Sequence, residues 1–203
     1  MTAEAVRPPP PSSTAVQLGW VAVAEALAPA ECARLVTVME TALTVQAGDG
    51  GALARGRRDA GVRRADVVWL NDGPRTGWVM MRLADLAARA NREHYGFALD
   101  GFDEALQLTR YPAEVAGFYD WHVDRGATGL TARRKLSISI QLSPPESYED
   151  GALELNVDGH VVAAPRALGT AILFPSFALH RVAPVTAGVR HALVTWIHGP
   201  DFV

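Results

Sequence analysis

The chain has little of several things, and each shortage excludes something. Cys32 is the single cysteine among 203 residues, so no disulfide can form within the chain, which fits a reducing compartment. No histidine pattern near Cys32 marks it as a nucleophile; it reads as a small buried hydrophobe on a helix. No apolar run approaches the length of a membrane span. Neither sign of charge dominates: 19 basic against 22 acidic residues leave a formal net charge of −3, which offers no general attraction to nucleic acid or to an anionic membrane. Met1 to Ser13, with Glu4 and prolines at 8 to 11, lacks the apolar stretch of a signal peptide. Residues 1–16 are expected to be a flexible Pro-rich tail, and the protein to be cytoplasmic.

What is present is ordinary for a globular domain. Hydrophobic residues make up 49% and charged residues 20%, so residues 17–203 suffice for one domain with a sizeable core. Gln17 to Leu27 reads as a strand or its approach. Ala28-Pro29-Ala30-Glu31 opens a helix, with proline near the first position and an acid in the first turn. Ala47 to Gly61, rich in Gly and Arg, reads as a loop. The basic clusters Arg55-Gly56-Arg57-Arg58 and Arg63-Arg64 are short enough to be a solvated loop or surface ion pairs. Val67–Leu70 is a short strand candidate. Thr76 to about His94 is an amphipathic helix, with Val79, Met80, Leu83, Leu86, Ala87 and Ala90 on one face and Gly96 as its stop. Helical support is therefore expected over about 28–95.

After Gly96 the pattern becomes β. Short runs follow one another at 104–111, 118–122, 135–142, 153–157, 160–163, 171–174, 179–183 and 191–197, separated by Gly, Pro and Asp. This spacing predicts an all-β sandwich or barrel over about 97–200, with the helices packed outside it. Along 136–142, Leu136, Ile138, Ile140 and Leu142 share one face, and Ser137, Ser139 and Gln141 share the other. The polar face fits either a surface strand in water or a barrel strand lining an enclosed polar site. Gln107, Thr109 and Tyr111 form a second such row.

His122-Val123-Asp124 places two metal-capable side chains at i and i+2, on one side of an extended segment. Taken alone this spacing arises often by chance. His180 lies near a later strand, and Arg190 begins another one ten residues on. Two imidazoles and one carboxylate on one face of a metal leave positions open, the arrangement that suits iron(II) oxygenases. A dicarboxylic 2-oxo acid would need a two-pronged cation for its far end, which arginine supplies better than lysine.

These residues, with the segments Gln107–Pro112, Phe118–Asp124, Arg134–Ser137, Asp150–Leu155, Pro165–Pro175 and His180–Arg190 in this order, resemble the 2-oxoglutarate and iron(II)-dependent dioxygenases of the prolyl 4-hydroxylase-like branch. The resemblance implies a fold that is mainly β, a double-stranded β-helix (jelly-roll) core with amino-terminal helices. It implies His122, Asp124 and His180 as iron ligands. It also implies Arg190 pairing with the far carboxylate of 2-oxoglutarate, Tyr111 hydrogen-bonded to that group, and Gln141 near it. Tyr119 and Trp196 would line the substrate pocket. Fe(II), 2-oxoglutarate and O2 are the implied cofactors, with ascorbate as a stimulant. The implied reaction is hydroxylation of an unactivated C–H bond in a peptidyl or small amino-acid-like substrate, with release of succinate and CO2. The Asp150-Gly151 turn, where many relatives carry a Gly pair, is expected to stand apart from the chemistry. Asp124 argues against halogenating relatives, and Trp196 stands where nucleic-acid demethylases usually carry a second arginine. The rival reading is a cupin-type jelly-roll metal-binding protein without oxygenase activity. Arginines in 55–64 (Arg55, Arg57 and Arg58 above all) are candidates to meet an acidic or peptide substrate.

Overall fold

The computed structural model describes residues 19–49, 61–71, 73 and 76–202, the side chains of 46–49 excepted. The expected tail at 1–16 and Arg55, Arg57 and Arg58 lie outside the described residues. In chain order the elements are β1 (Val21–Val23), α1 (Pro29–Asp49), β2 (Arg63–Arg64), β3 (Asp66–Leu70), α2 (Gly77–Ala90), β4 (Leu106–Pro112), β5 (Phe118–His122), α3 (Gly129–Ala132), β6 (Arg134–Gln141), β7 (Tyr148–Asp150), β8 (Leu153–Val157), β9 (His160–Ala163), β10 (Ala171–Pro175), β11 (His180–Val182) and β12 (Val185–His198). No helix among the described residues is long and apolar enough to cross a membrane.

The strands form two antiparallel sheets. The larger runs β1-β10-β6-β12-β4-β3, with β7 pairing on β12; the smaller runs β2-β5-β11-β8-β9. Their facing surfaces enclose Tyr111, Tyr148, Leu153, Leu155, Ile172, Phe174, Val182 and Val185. The outer face of the larger sheet carries the two long helices. Cys32, Leu35 and Met39 of α1 and Val79, Leu83 and Leu86 of α2 share a buried cluster with Leu106, Leu108, Leu136, Ile138, Ile140, Leu193 and Ile197. Each of these large aliphatic side chains contributes about 1.5–3 kcal/mol by leaving water.

Local chemistry explains the element ends. Glu31 accepts the Ala28 N–H at 2.7 Å and so satisfies one exposed donor at the start of α1. α1 continues to Asp49, two residues past the point where the Gly- and Arg-rich loop was expected. Gly96, at φ +66°, closes a five-residue π-turn (Asn91–Tyr95) that follows α2.

The ambiguous strand resolves toward the enclosed site. Ser137, Ser139 and Gln141 are 0, 5 and 1% exposed, because their face of β6 looks into the space between the sheets while Leu136, Ile138 and Ile140 meet the helices. Arg63-Arg64, expected in a solvated loop or in surface ion pairs, is instead strand β2, paired with Tyr119 and Phe118 of β5. The helical segment before the core thus also supplies two strands.

Candidate active site

The site grows from one register relationship. His122 on β5 and His180 on β11 are direct cross-strand partners, so their rings fall on the same face, with centroids 4.1 Å apart. Between His180↔His122 and Val182↔Tyr119 the register shifts, an irregularity of the kind that re-aims side chains beside functional sites. Asp124 follows two residues after His122, and the exposed Val123 between them points away.

The three side chains converge. Asp124 Oδ1 lies 3.7 Å from His122 Nε2, and Oδ2 lies 3.6 Å from His180 Nε2. One ligand atom from each residue falls within 4.8 Å of the others, close enough to share one ion. Each imidazole is held in the form a metal needs. His122 Nδ1 donates to the Asp120 carbonyl at 2.7 Å and His180 Nδ1 donates to the Ala178 carbonyl at 2.9 Å. A carbonyl only accepts, so Nδ1 carries a proton and Nε2 is left as the nitrogen that can face a metal. Burial pushes the His180 imidazole below its usual range, against the pull of Asp124. Burial would raise the Asp124 carboxyl, but His180, His122 and the Ser137 hydroxyl together hold it well below the usual carboxylate range. Two neutral imidazoles and one carboxylate are a donor set suited to Fe(II), with coordination positions left open.

A cavity of about 210 Å³ opens beside this cluster, lined among others by Arg63, Trp69, Tyr111, Tyr119, Arg190 and Trp196. Arg190 is 1% exposed. Its Nη2 donates to the Gln141 side-chain oxygen at 3.0 Å, yet its Nε and Nη1 are buried with no hydrogen-bond partner among the described residues. A buried guanidinium with unused donors is costly until an anion meets it. This is the observation that fits a carboxylate-bearing co-substrate. Tyr111 is the cross-strand partner of Arg190, with the Arg190 guanidinium carbon 5.4 Å from its ring centroid. Gln141 does not line the cavity; it stands behind Arg190, its amide donating to the Pro165 carbonyl at 3.1 Å, and holds the guanidinium in place.

The other two expected residues form walls. Tyr119 stacks on His122 with ring centroids 3.5 Å apart, and Trp196 pairs with Trp69 at 6.1 Å. Trp196 Nε1 is a buried donor with no hydrogen-bond partner among the described residues. The Asp150-Gly151 turn lies next to Arg190: a Cβ on Gly151 would lie 3.5 Å from Arg190 Cδ and 2.6 Å from Val185 Cγ2.

Residues that sequence reasoning passed over, or in the case of Arg63 offered only within the arginines of 55–64, complete the site. Ser137 donates to Asp124 Oδ2 at 2.7 Å and lies 3.0 Å from the Ser176 hydroxyl; its place in the polar row of β6 was the available signal. Arg134 lies flat over Trp196, 3.6 Å from the ring centroid. It is held by Glu104 through Nε at 2.6 Å and by the Asp124 carbonyl through Nη1 at 3.0 Å. Arg63 lies over the Tyr119 ring at 4.7 Å. The remaining histidines stay outside. His191 turns to the opposite face from Arg190 and meets Glu40 at 2.7 Å, His198 meets Glu104 at 3.0 Å, and His94 and His160 are exposed.

Known proteins place this arrangement. The sequence pattern of the 2OG-Fe(II) oxygenase superfamily matches residues 106–198. A PKHD-type hydroxylase of Colwellia psychrerythraea is 39% identical over 85 residues, 41% of this chain and 38% of that protein; the match spans well under half of that relative's length. Among solved structures, a Pseudomonas putida prolyl-4-hydroxylase superposes with a TM-score of 0.70 at 20% identity, covering 90% of this chain and 94% of the other. A Trichoplax adhaerens prolyl hydroxylase, solved with a peptide fragment of a hypoxia inducible factor, also reaches 0.70, at 18% identity over 90% of this chain and 84% of the other. Both share the fold. His122, Asp124, His180 and Arg190 all fall inside the segment, residues 106–198, that matches the 2OG-Fe(II) oxygenase superfamily pattern.

Proposed function

We propose that the protein is an Fe(II)- and 2-oxoglutarate-dependent hydroxylase acting on an unactivated C–H bond of a peptidyl or small amino-acid-like substrate. The observation that carries this reading is Arg190: a buried guanidinium with two unpartnered nitrogens on the same cavity as a His-Asp-His cluster. A cupin-type metal-binding protein would have no use for that cation.

In this reading His122, Asp124 and His180 hold Fe(II) through their free Nε2 atoms and carboxylate. Arg190 pairs with the far carboxylate of 2-oxoglutarate, braced by Gln141 and with Tyr111 alongside, and so fixes the other end of the acid toward the metal. Iron, 2-oxoglutarate and dioxygen together supply the oxidation, which turns the substrate C–H into C–OH and the co-substrate into succinate and CO2. The chain itself orients both molecules and keeps bulk water out. Tyr119 presents its ring beside His122, and Trp196, stiffened by Arg134, forms an apolar wall suited to the ring or aliphatic part of an amino acid. The peptide held by the Trichoplax adhaerens neighbour supports a peptidyl substrate.

The test is anaerobic reconstitution with Fe(II), in which 2-oxoglutarate binding gives a metal-to-ligand charge-transfer absorption, followed by air and measurement of succinate. Wild-type protein is expected to give both signals. His180→Ala is expected to lose both, and Arg190→Ala to need far more 2-oxoglutarate. Iron-loaded wild type that gives neither signal would return the cupin-type reading to the front.

A further inference from the structure

The cations of the cavity differ in what balances them. Arg134 is matched by Glu104, which takes its Nε and Nη2. Arg190, on the reading above, is matched by the co-substrate: the charges of Fe(II), Asp124, Arg190 and doubly ionised 2-oxoglutarate cancel. Among the described residues Arg63 has no such partner. No carboxylate among the described residues lies within ion-pair distance of it, and its contacts are neutral. Nη2 donates to the Gln107 side-chain oxygen at 2.9 Å, the guanidinium lies 4.7 Å from the Tyr119 ring centroid, and Nε is buried without a hydrogen-bond partner.

Its position is fixed by the fold. Arg63 pairs with Tyr119 across β2 and β5, and Tyr119 in turn stacks on His122. The guanidinium thus sits one aromatic ring away from a metal ligand, on the wall of the same cavity. Gln107 and Tyr119 fix its position, and the unpartnered Nε leaves a donor for an anion.

We infer that Arg63 receives a carboxylate of the primary substrate, and that the enzyme selects substrates carrying one. This rests on the oxygenase reading and adds the substrate class to it. Once co-substrate is bound, Arg63 is the remaining uncompensated charge among the described cavity-lining residues, and a substrate carboxylate neutralises it. The carboxylate comes either from the α-position of a free or carboxy-terminal amino acid or from an acidic side chain.

The experiment uses the Fe(II)- and 2-oxoglutarate-loaded protein without oxygen, with tryptophan fluorescence (Trp69 and Trp196 border the cavity) as the binding signal. The probes are N-acetyl derivatives of proline, leucine and phenylalanine, each as free acid and as amide. N-acetyl-glutamate α-amide set against N-acetyl-glutamine amide tests the side-chain source. At least one acid is expected to bind roughly tenfold or more tighter than its amide, the usual worth of a charge-assisted hydrogen bond. Arg63→Gln is expected to erase that preference and Arg63→Lys to keep part of it, while Arg89→Gln on the far side of α2 leaves it intact. Three results would overturn the assignment: no acid outbinding its amide, a preference that survives Arg63→Gln, or a loss of 2-oxoglutarate affinity in Arg63→Gln as large as in Arg190→Ala. If the charge-transfer absorption never forms in wild type, the oxygenase reading itself fails; if it forms and acids match amides, Arg63 alone has been misassigned.

Discussion

The Ser137 hydroxyl donates a 2.7 Å hydrogen bond to Oδ2 of Asp124, the same oxygen that lies 3.6 Å from His180 Nε2. One serine on the larger sheet thereby orients the carboxylate shared by both imidazoles, which come from the smaller sheet. Removing such a support typically weakens metal binding about 10- to 100-fold without removing a ligand. Ser137→Ala is therefore expected to raise the Fe(II) dissociation constant by about tenfold, measured by anaerobic metal titration, with the fold intact by circular dichroism. Unchanged affinity would mean that Asp124 is held by the histidines alone.

Gln141 holds Arg190 from behind. Without it the guanidinium keeps its charge but loses its fixed direction. Gln141→Ala is expected to weaken 2-oxoglutarate binding by about tenfold, the worth of one charge-assisted hydrogen bond, while iron affinity stays at the wild-type value. Titration of the charge-transfer absorption reads the first quantity and metal titration the second. A parallel loss of both would instead indicate a general collapse of the pocket.

His191 links folding to pH. Burial pushes its imidazole below the usual range even though Glu40 pulls it upward, with Arg110 and Arg190 also facing it. The unfolded chain, titrating near 6.5, takes up a proton there that the folded chain refuses. Stability therefore falls as the pH drops through about 6.5, and the loss levels off below the folded value. In metal-free protein His180 acts in the same direction. His191→Gln is expected to show a shallower fall in urea midpoint between pH 7.5 and 5.5 than wild type. Equal slopes would show that His191 titrates normally.

Two glycines with positive φ separate strain from collision. A Cβ on Gly159, at φ +85°, would meet nothing within 4 Å, whereas on Gly188, at φ +69°, it would lie 2.1 Å from the Ser147 carbonyl oxygen. Gly159→Ala is expected to cost only the backbone term of about 1–2 kcal/mol. Gly188→Ala is expected to cost upwards of about 3 kcal/mol, because β7 must move off β12 as well. Denaturant midpoints compare the pair directly.

The grouping of His122, Asp124 and His180 and the inward face of Arg190 were legible because strand geometry maps sequence spacing onto space in a fixed way. His122 and Asp124 at i and i+2 stay on one side of any extended segment, and Arg190 keeps its inward face once its strand is placed. The polar row of Ser137, Ser139 and Gln141 was only half legible, since a face turned to water and a face turned to a cavity alternate identically. Helices packed on the leucine face decide between them, and that packing is long-range. Arg63 was legible only as one of several arginines in 55–64. A strand of two charged residues carries no period, and whether its first arginine meets solvent or the cavity depends on its pairing with Tyr119. The three-residue β7 escaped for the same reason.

The place of β12 in the larger sheet has a consequence for how the protein is born. It is the last described strand in chain order, yet it lies between β6 and β4 rather than at an edge. Until residues 185–198 leave the ribosome, β4 with β3 and β6 with β10 are separate fragments with open hydrogen-bonding edges. Completion of this sheet is thus postponed until β12 has emerged, when long-range pairing must compete with aggregation. Arg190 arrives on that same strand, so no partial product of translation holds a finished anchor.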